Sequence, residues 1–261
     1  MLAAYRDFIQ ACKPNPNNSL VWLQLMVMLA GLVWFQWEPA VVLFAYFFET
    51  IIIGVIHLGK MFLAARFGPD PDPEIARSYH STGRQVGYYL IPFFLVHYFF
   101  FVFVQSVFVF AFFGSSVAGV PIKEAFQVPA NYWSLLQLPD MQLLVIVLIA
   151  SQLAYTLRQY IATGMYRKAD VGLLMMQPYL RIVIQQFVAI LGGFFLFFTD
   201  AGMAAAVLLI LFRAATDLAL LAARDVPEVW DNWVTKLAEK SHDPTNHKKR
   251  LTKWVQALLS Y

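Results

Sequence analysis

Long, continuously apolar stretches alternate with short polar ones along this chain, and the apolar stretches set the expected architecture. A helix of about 20 mostly apolar residues crosses a hydrocarbon core of about 30 Å. Six stretches meet that length, approximately: 20–37, 40–65, 88–113, 141–163, 178–198 and 202–223. They run apolar without the alternation of a lipid-facing strand, so they predict helices and reject a closed barrel, the other backbone that satisfies its hydrogen bonds in lipid. The expected fold is all-α, a polytopic transmembrane helix bundle of six spans over residues 20–223. A cytoplasmic segment, 1–19, precedes the bundle and a basic cytoplasmic tail, 224–261, follows it.

The polar connections refine this plan. "EP" after the first span and "TDA" between the fifth and sixth are too short for anything but antiparallel hairpins. In "RFGPDPDPEIARSYHSTGRQVG" prolines alternate with acids, which stops the second helix sharply. The longer connection "GSSVAGVPIKEAFQVPANYWSLLQLPD" has room for an interfacial helix near Tyr132 and Trp133. The tail splits into two amphipathic helices. "PEVWDNWVTKLAEK" places Trp230, Trp233 and Leu237 on one face behind Pro227, and "PTNHKKRLTKWVQALLSY" groups Leu251, Trp254, Val255 and Leu258 among Lys248, Lys249, Arg250 and Lys253. A basic helix with a tryptophan on its apolar side suits the surface of a membrane containing anionic lipids; a cytoplasmic partner is the competing occupant of that face.

Composition agrees. Hydrophobic residues make up 60% and charged residues 13% of the chain, where soluble domains carry about a quarter charged residues. The mean hydropathy is +0.60. Charge also orients the bundle. Lys and Arg collect at Arg6 and Lys13, at Arg66, Arg77 and Arg84, at Arg167 and Lys168, and at seven positions from Arg224 to Lys253, while the alternate loops hold only Lys123. Positive charge stays on the cytoplasmic side, so both termini are expected there. The segment ahead of the first span has neither the compact basic region nor the small-residue site of a cleaved signal peptide. Cys12 is the sole cysteine, which excludes an internal disulfide and a multi-cysteine metal site. Nothing in the pattern calls for nucleic acid; lipids, a membrane-protein partner or a second copy are the expected associates.

Against this background the ionisable residues inside the spans stand out, because each costs about 3 kcal/mol or more near the bilayer centre. Glu49 and His57 lie in the second stretch, His97 in the third, and Arg213 and Asp217 in the sixth. A rise of about 1.5 Å per residue puts Glu49, Gln152 and Arg213 near the middle, with His97 at a similar level. Glu49, His57 and Lys60 share one broad helical face, His57 about 80° around from Glu49. The candidate ligand-binding set is therefore Glu49, His57, Lys60, His97, Gln152, Arg181, Arg213 and Asp217, with His97, His57 and Glu49 the candidates for a metal. Plainer roles compete. Arg213 and Asp217 can pair across one helical turn, and Lys60, Arg158 and Arg181 lie near cytoplasmic ends where long side chains snorkel. Gln105, Gln152, Gln177, Gln185 and Gln186 suit interhelical hydrogen bonds, as do single histidines.

The segments "FFETIIIGVIHLGKM", "IPFFLVHYFFFVFVQSVF", "SQLAYTLRQYIATGMYR", "MMQPYLRIVIQQFVAILGG" and "LFRAATDLAL", in that order, resemble a bacterial family of uncharacterised multi-pass membrane proteins, a domain of unknown function, from about residue 44 to 224. The resemblance implies that Glu49, Lys60, His97, Arg181 and Asp217 match the residue types of the family pattern. Where that pattern tends to histidine, this chain has Gln105, Gln152 and either Gln185 or Gln186. Amides are poor ligands for zinc or haem iron, so the departure weakens a metal centre; the family implies no activity and no cofactor.

Three functions fit the residues. The first is binding or transport of a small polar or amphiphilic ligand, anionic or lipid in character, at the polar intramembrane site. The second is an intramembrane metal- or haem-dependent enzyme. The chain has no HExxH, no desaturase-type histidine boxes, no bis-haem histidine pair and no nucleophile elbow around Ser151. The third is a structural or assembly subunit of a membrane complex.

Overall fold

The computed structural model describes residues 2–70, 85–117, 119–179, 182–183, 202–240 and 243–259. Among them every regular element is a helix: α1 (Leu2–Cys12), α2 (Ser19–Val33), α3 (Pro39–Phe67), α4 (Gln85–Phe113), α5 (Val128–Leu135), α6 (Pro139–Thr156), α7 (171–179), α8 (Gly202–Asp225), α9 (Glu228–Ala238) and α10 (Pro244–Leu259). Four helical runs are long and apolar enough to cross a membrane: Pro39–Phe67, Gly87–Phe113, Pro139–Ile161 and Ala206–Asp225. This is the length and composition of a membrane protein. The fifth predicted stretch, 178–198, lies largely outside the described residues, as do Arg181, Gln185 and Gln186.

The chain divides into two compact units, one of Met26–Leu211 and one of Met1–Leu25 with Phe212–Tyr261. In the first, α3 is central, with α4 and α6 packed along it. Pro39 sits in the first turn of α3, where its missing N–H costs nothing, and Gly68 ends the helix with its N–H on the Ala64 carbonyl at 2.7 Å. Between those ends α3 is mostly apolar and buries most of its side chains, the pattern of a helix packed among others. Phe44 stacks on Phe110 at 4.8 Å, Phe94 on Tyr98 at 4.8 Å, and Tyr132 meets Phe110 edge-on at 4.9 Å. Met61, Ala64, Leu90, Val171 and Leu174 complete the core beside Tyr98.

Two elements depart from expectation. The first apolar stretch was expected to stay helical to about residue 37, but α2 stops at Val33. Its 15 residues reach about 22 Å, short of a 30 Å core. Gly31 is the cause, because the Trp37 indole occupies the space a Cβ would need there. The Trp37 N–H returns to the Gly31 carbonyl at 3.0 Å, and the chain reverses through Gln36 at a φ of +52°. The second departure is at the end of α6, where Leu157–Ile161 continues as a π-helical turn.

In the other unit Asn18 anchors the entry to α2, its amide donating to the Ala11 carbonyl at 3.0 Å and the Lys13 carbonyl at 2.8 Å. Trp22 donates to the Cys12 carbonyl at 3.2 Å. The α9 face differs from the one expected: Val234 and Ala238 are buried, Trp230 donates to the Ala223 carbonyl at 2.9 Å, and Trp233 is exposed. α10 packs on α9, with Lys248 beside Asp231 at 3.3 Å.

Candidate functional site

A column of polar side chains runs down the enclosed face of α3. Glu49 is fully buried at 0% exposure, Thr50 is at 1%, His57 at 1% and Lys60 at 7%. The period of an α-helix puts Glu49, His57 and Lys60 on one side of α3, and the surrounding helices supply their partners. Gln152 of α6 donates through Nε2 to Glu49 Oε1 at 2.8 Å. This bond survives protonation, because a neutral carboxyl keeps a carbonyl oxygen that accepts an amide N–H as a carboxylate does.

Further along, His57 Nε2 lies 2.8 Å from the Leu174 carbonyl of α7, and its ring tilts against Phe94 at 5.4 Å. A carbonyl only accepts, so the proton is on Nε2 and Nδ1 carries the lone pair. That buried Nδ1 has no hydrogen-bond partner among the described residues. Lys60 does not reach outward as a snorkelling lysine would. Its Nζ lies 5.7 Å from the centre of the Tyr160 ring, and the Tyr160 hydroxyl donates to the Lys60 carbonyl at 2.8 Å. Tyr160 sits inside the π-helical turn, which closes with the Ala162 N–H on the Leu157 carbonyl at 2.8 Å. Such turns re-aim side chains and recur at functional sites. Arg158, in the same turn, is exposed.

Around the column, Tyr98 donates to the Thr50 carbonyl at 2.9 Å, and Ser106 lies 3.1 Å from the Tyr132 hydroxyl while donating to the Val102 carbonyl at 2.7 Å. Burial pushes the Tyr132 phenol above its ordinary range, with the Ser106 hydrogen bond opposing, so Tyr132 stays protonated. Gln105 and Gln177 are buried as well.

The other expected site residues have described partners of their own. His97 is on an exposed flank of α4, its Nδ1 2.6 Å from the Tyr179 hydroxyl, with no hydrogen bond to Glu49. Arg213 pairs with Asp217 at 3.6 Å across one turn of α8, and the Gln24 amide, turned with its oxygen inward, accepts from the Arg213 guanidinium at 2.9 and 3.2 Å. These three residues belong to the unit that contains both termini, a different unit from Glu49. Among the described residues no three His, Cys, Asp or Glu side chains converge as metal ligands, so His57, His97 and Glu49 do not assemble one site.

Tyr98, Tyr160 and Tyr179 make the interhelical polar contacts that hydropathy misses. A tyrosine reads as apolar, yet each of these hydroxyls binds a polar group of a neighbouring helix.

Residues 10–246 match a profile described as a family of unknown function (DUF6498). No curated protein and no solved structure matches the chain.

Proposed function

The chain belongs to that family of unknown function, whose description supplies no activity, and from the geometry we propose a multi-pass membrane protein that binds or transports a small polar or amphiphilic ligand at the α3 column, with Glu49 as its proton-exchanging group. The observation that carries this reading is Glu49 itself, a carboxyl fully buried within a membrane-length helix and held by the Gln152 amide of α6. Such a group is costly in hydrocarbon and marks a ligand or proton path more often than packing. Lys60 and the His57 lone pair on the same face would complement an anionic or hydroxyl-bearing ligand.

The Lys and Arg distribution supports an orientation with both termini cytoplasmic, and the resemblance to a bacterial family supports the inner membrane as its location. The four long helices give an even count of crossings, and six follow if α2 and the 178–198 stretch both cross. The exposed Lys249, Arg250 and Lys253 of α10 suit anionic headgroups.

Native mass spectrometry of the protein released from lipid nanodiscs tests the site. The wild type should retain a discrete small-molecule adduct that Glu49→Gln loses at unchanged helical circular dichroism. A wild type without any adduct, or equal occupancy in the variant, overturns the proposal.

A further inference from the structure

His97 carries a second, separate inference. It sits three residues from the centre of the Gly87–Phe113 run, about 5 Å from mid-span, and it is exposed. Its ring stacks on Phe93 at 5.1 Å and 17°, and meets Phe101 edge-on at 5.0 Å. Nδ1 is occupied by the Tyr179 hydroxyl at 2.6 Å, while Nε2 makes no hydrogen bond among the described residues. A phenolic O–H is a stronger donor than an imidazole N–H, which assigns Nδ1 as the acceptor and leaves the ring proton on Nε2. With α4 across the membrane, an N–H at this depth without an acceptor among the described residues is costly, and a lipid chain supplies none.

We propose that His97 Nε2, framed by Phe93, Phe101 and Tyr179, is a membrane-facing site for a lipid-soluble ring carbonyl compound of the quinone class. The Nε2–H is the donor for a carbonyl oxygen, and the aromatic side chains give a flat ring an apolar seat. The surrounding surface of α4 is apolar too, with Val96 and Phe100 exposed on either side of His97. Depth separates the two sources of a carbonyl. The ester groups of phospholipids lie at the edge of the core, about 15 Å from its middle, too far from a residue near mid-span. A ring carbonyl dissolved among the acyl chains reaches that level.

The inference rests on the reading that α4 crosses the membrane and is independent of Glu49. The test uses full-length protein in nanodiscs and decylubiquinone as the probe, with binding followed by quenching of tryptophan fluorescence. Saturable binding that weakens about tenfold or more in His97→Phe, and also weakens in Tyr179→Phe, is expected. The phenylalanine keeps the aromatic packing and removes only the donor, and Tyr179→Phe serves if His97→Phe fails to fold. Absence of saturable binding, or equal affinity in the variants, overturns the proposal. So does a native mass spectrum in which His97→Phe loses a phospholipid while decylubiquinone never binds. Extraction of the protein from its membranes by alkaline carbonate would instead mark failure of the spanning reading.

Discussion

Glu49 and Gln152 lie 103 positions apart and form one hydrogen bond; counting residues along spans put both at one depth, but with His97 and Arg213 at a similar level it did not single out the pairing. The tyrosine contacts were not legible, since a phenol hidden in an apolar run leaves no trace in hydropathy. The same blindness applies to Gly54. It reads as one small residue in a long helix, yet a Cβ there would run into the Tyr98 ring. Tyr98 is held by its bond to the Thr50 carbonyl and stacked on Phe94, so it has little room to withdraw. Gly54→Ala should therefore lower stability by about 1–3 kcal/mol, the usual cost of overpacking a core, even though alanine is the better helix former. Thermal unfolding in detergent measures this; an unchanged or higher midpoint would show that the α3–α4 contact is looser than described.

Among the elements, the long helices were readable and their irregular ends were not. α3, α4, α6 and α8 lie within a few residues of the expected spans because apolar length alone specifies them. The end of α2 depends instead on Trp37 folding back over Gly31, a contact across the turn that a sliding window averages away. The π-helical turn that carries Tyr160 is a one-residue change in hydrogen-bond register with no compositional signature. The α2–α3 turn gives a prediction at this scale. Gln36 is exposed and adopts φ +52°, a conformation that glycine takes without steric cost. Gln36→Gly should stabilise the hairpin by up to about 1 kcal/mol and Gln36→Val should destabilise it by at least as much, read as opposite shifts of the unfolding midpoint. Shifts of the same sign would mean that the turn tolerates other backbone conformations.

Sidedness belongs to the whole molecule, and one residue reports on it. Cys12 is the sole cysteine, so any maleimide label identifies the amino-terminal segment. Its Sγ lies 3.9 Å from the Leu218 carbonyl, and partial burial pushes the thiol above its ordinary range. The thiolate is the reacting form, so a raised pKa means less of it at any given pH below that value. Labelling of the folded protein should be slower than that of the unfolded chain at neutral pH, and should rise with pH over a more alkaline window. If the amino-terminal segment is cytoplasmic, a membrane-impermeant maleimide should label Cys12 in inside-out vesicles and spare it in intact cells. Labelling of intact cells would reverse the orientation, and with it the side on which the exposed cations of α10 meet anionic lipid. A pH profile identical in the folded and unfolded protein would show that Cys12 is not held against α8. The two readouts separate because sidedness depends on where the segment lies, whereas the alkaline displacement depends only on the packing of α1 against the part of α8 from Phe212 onward, within one compact unit.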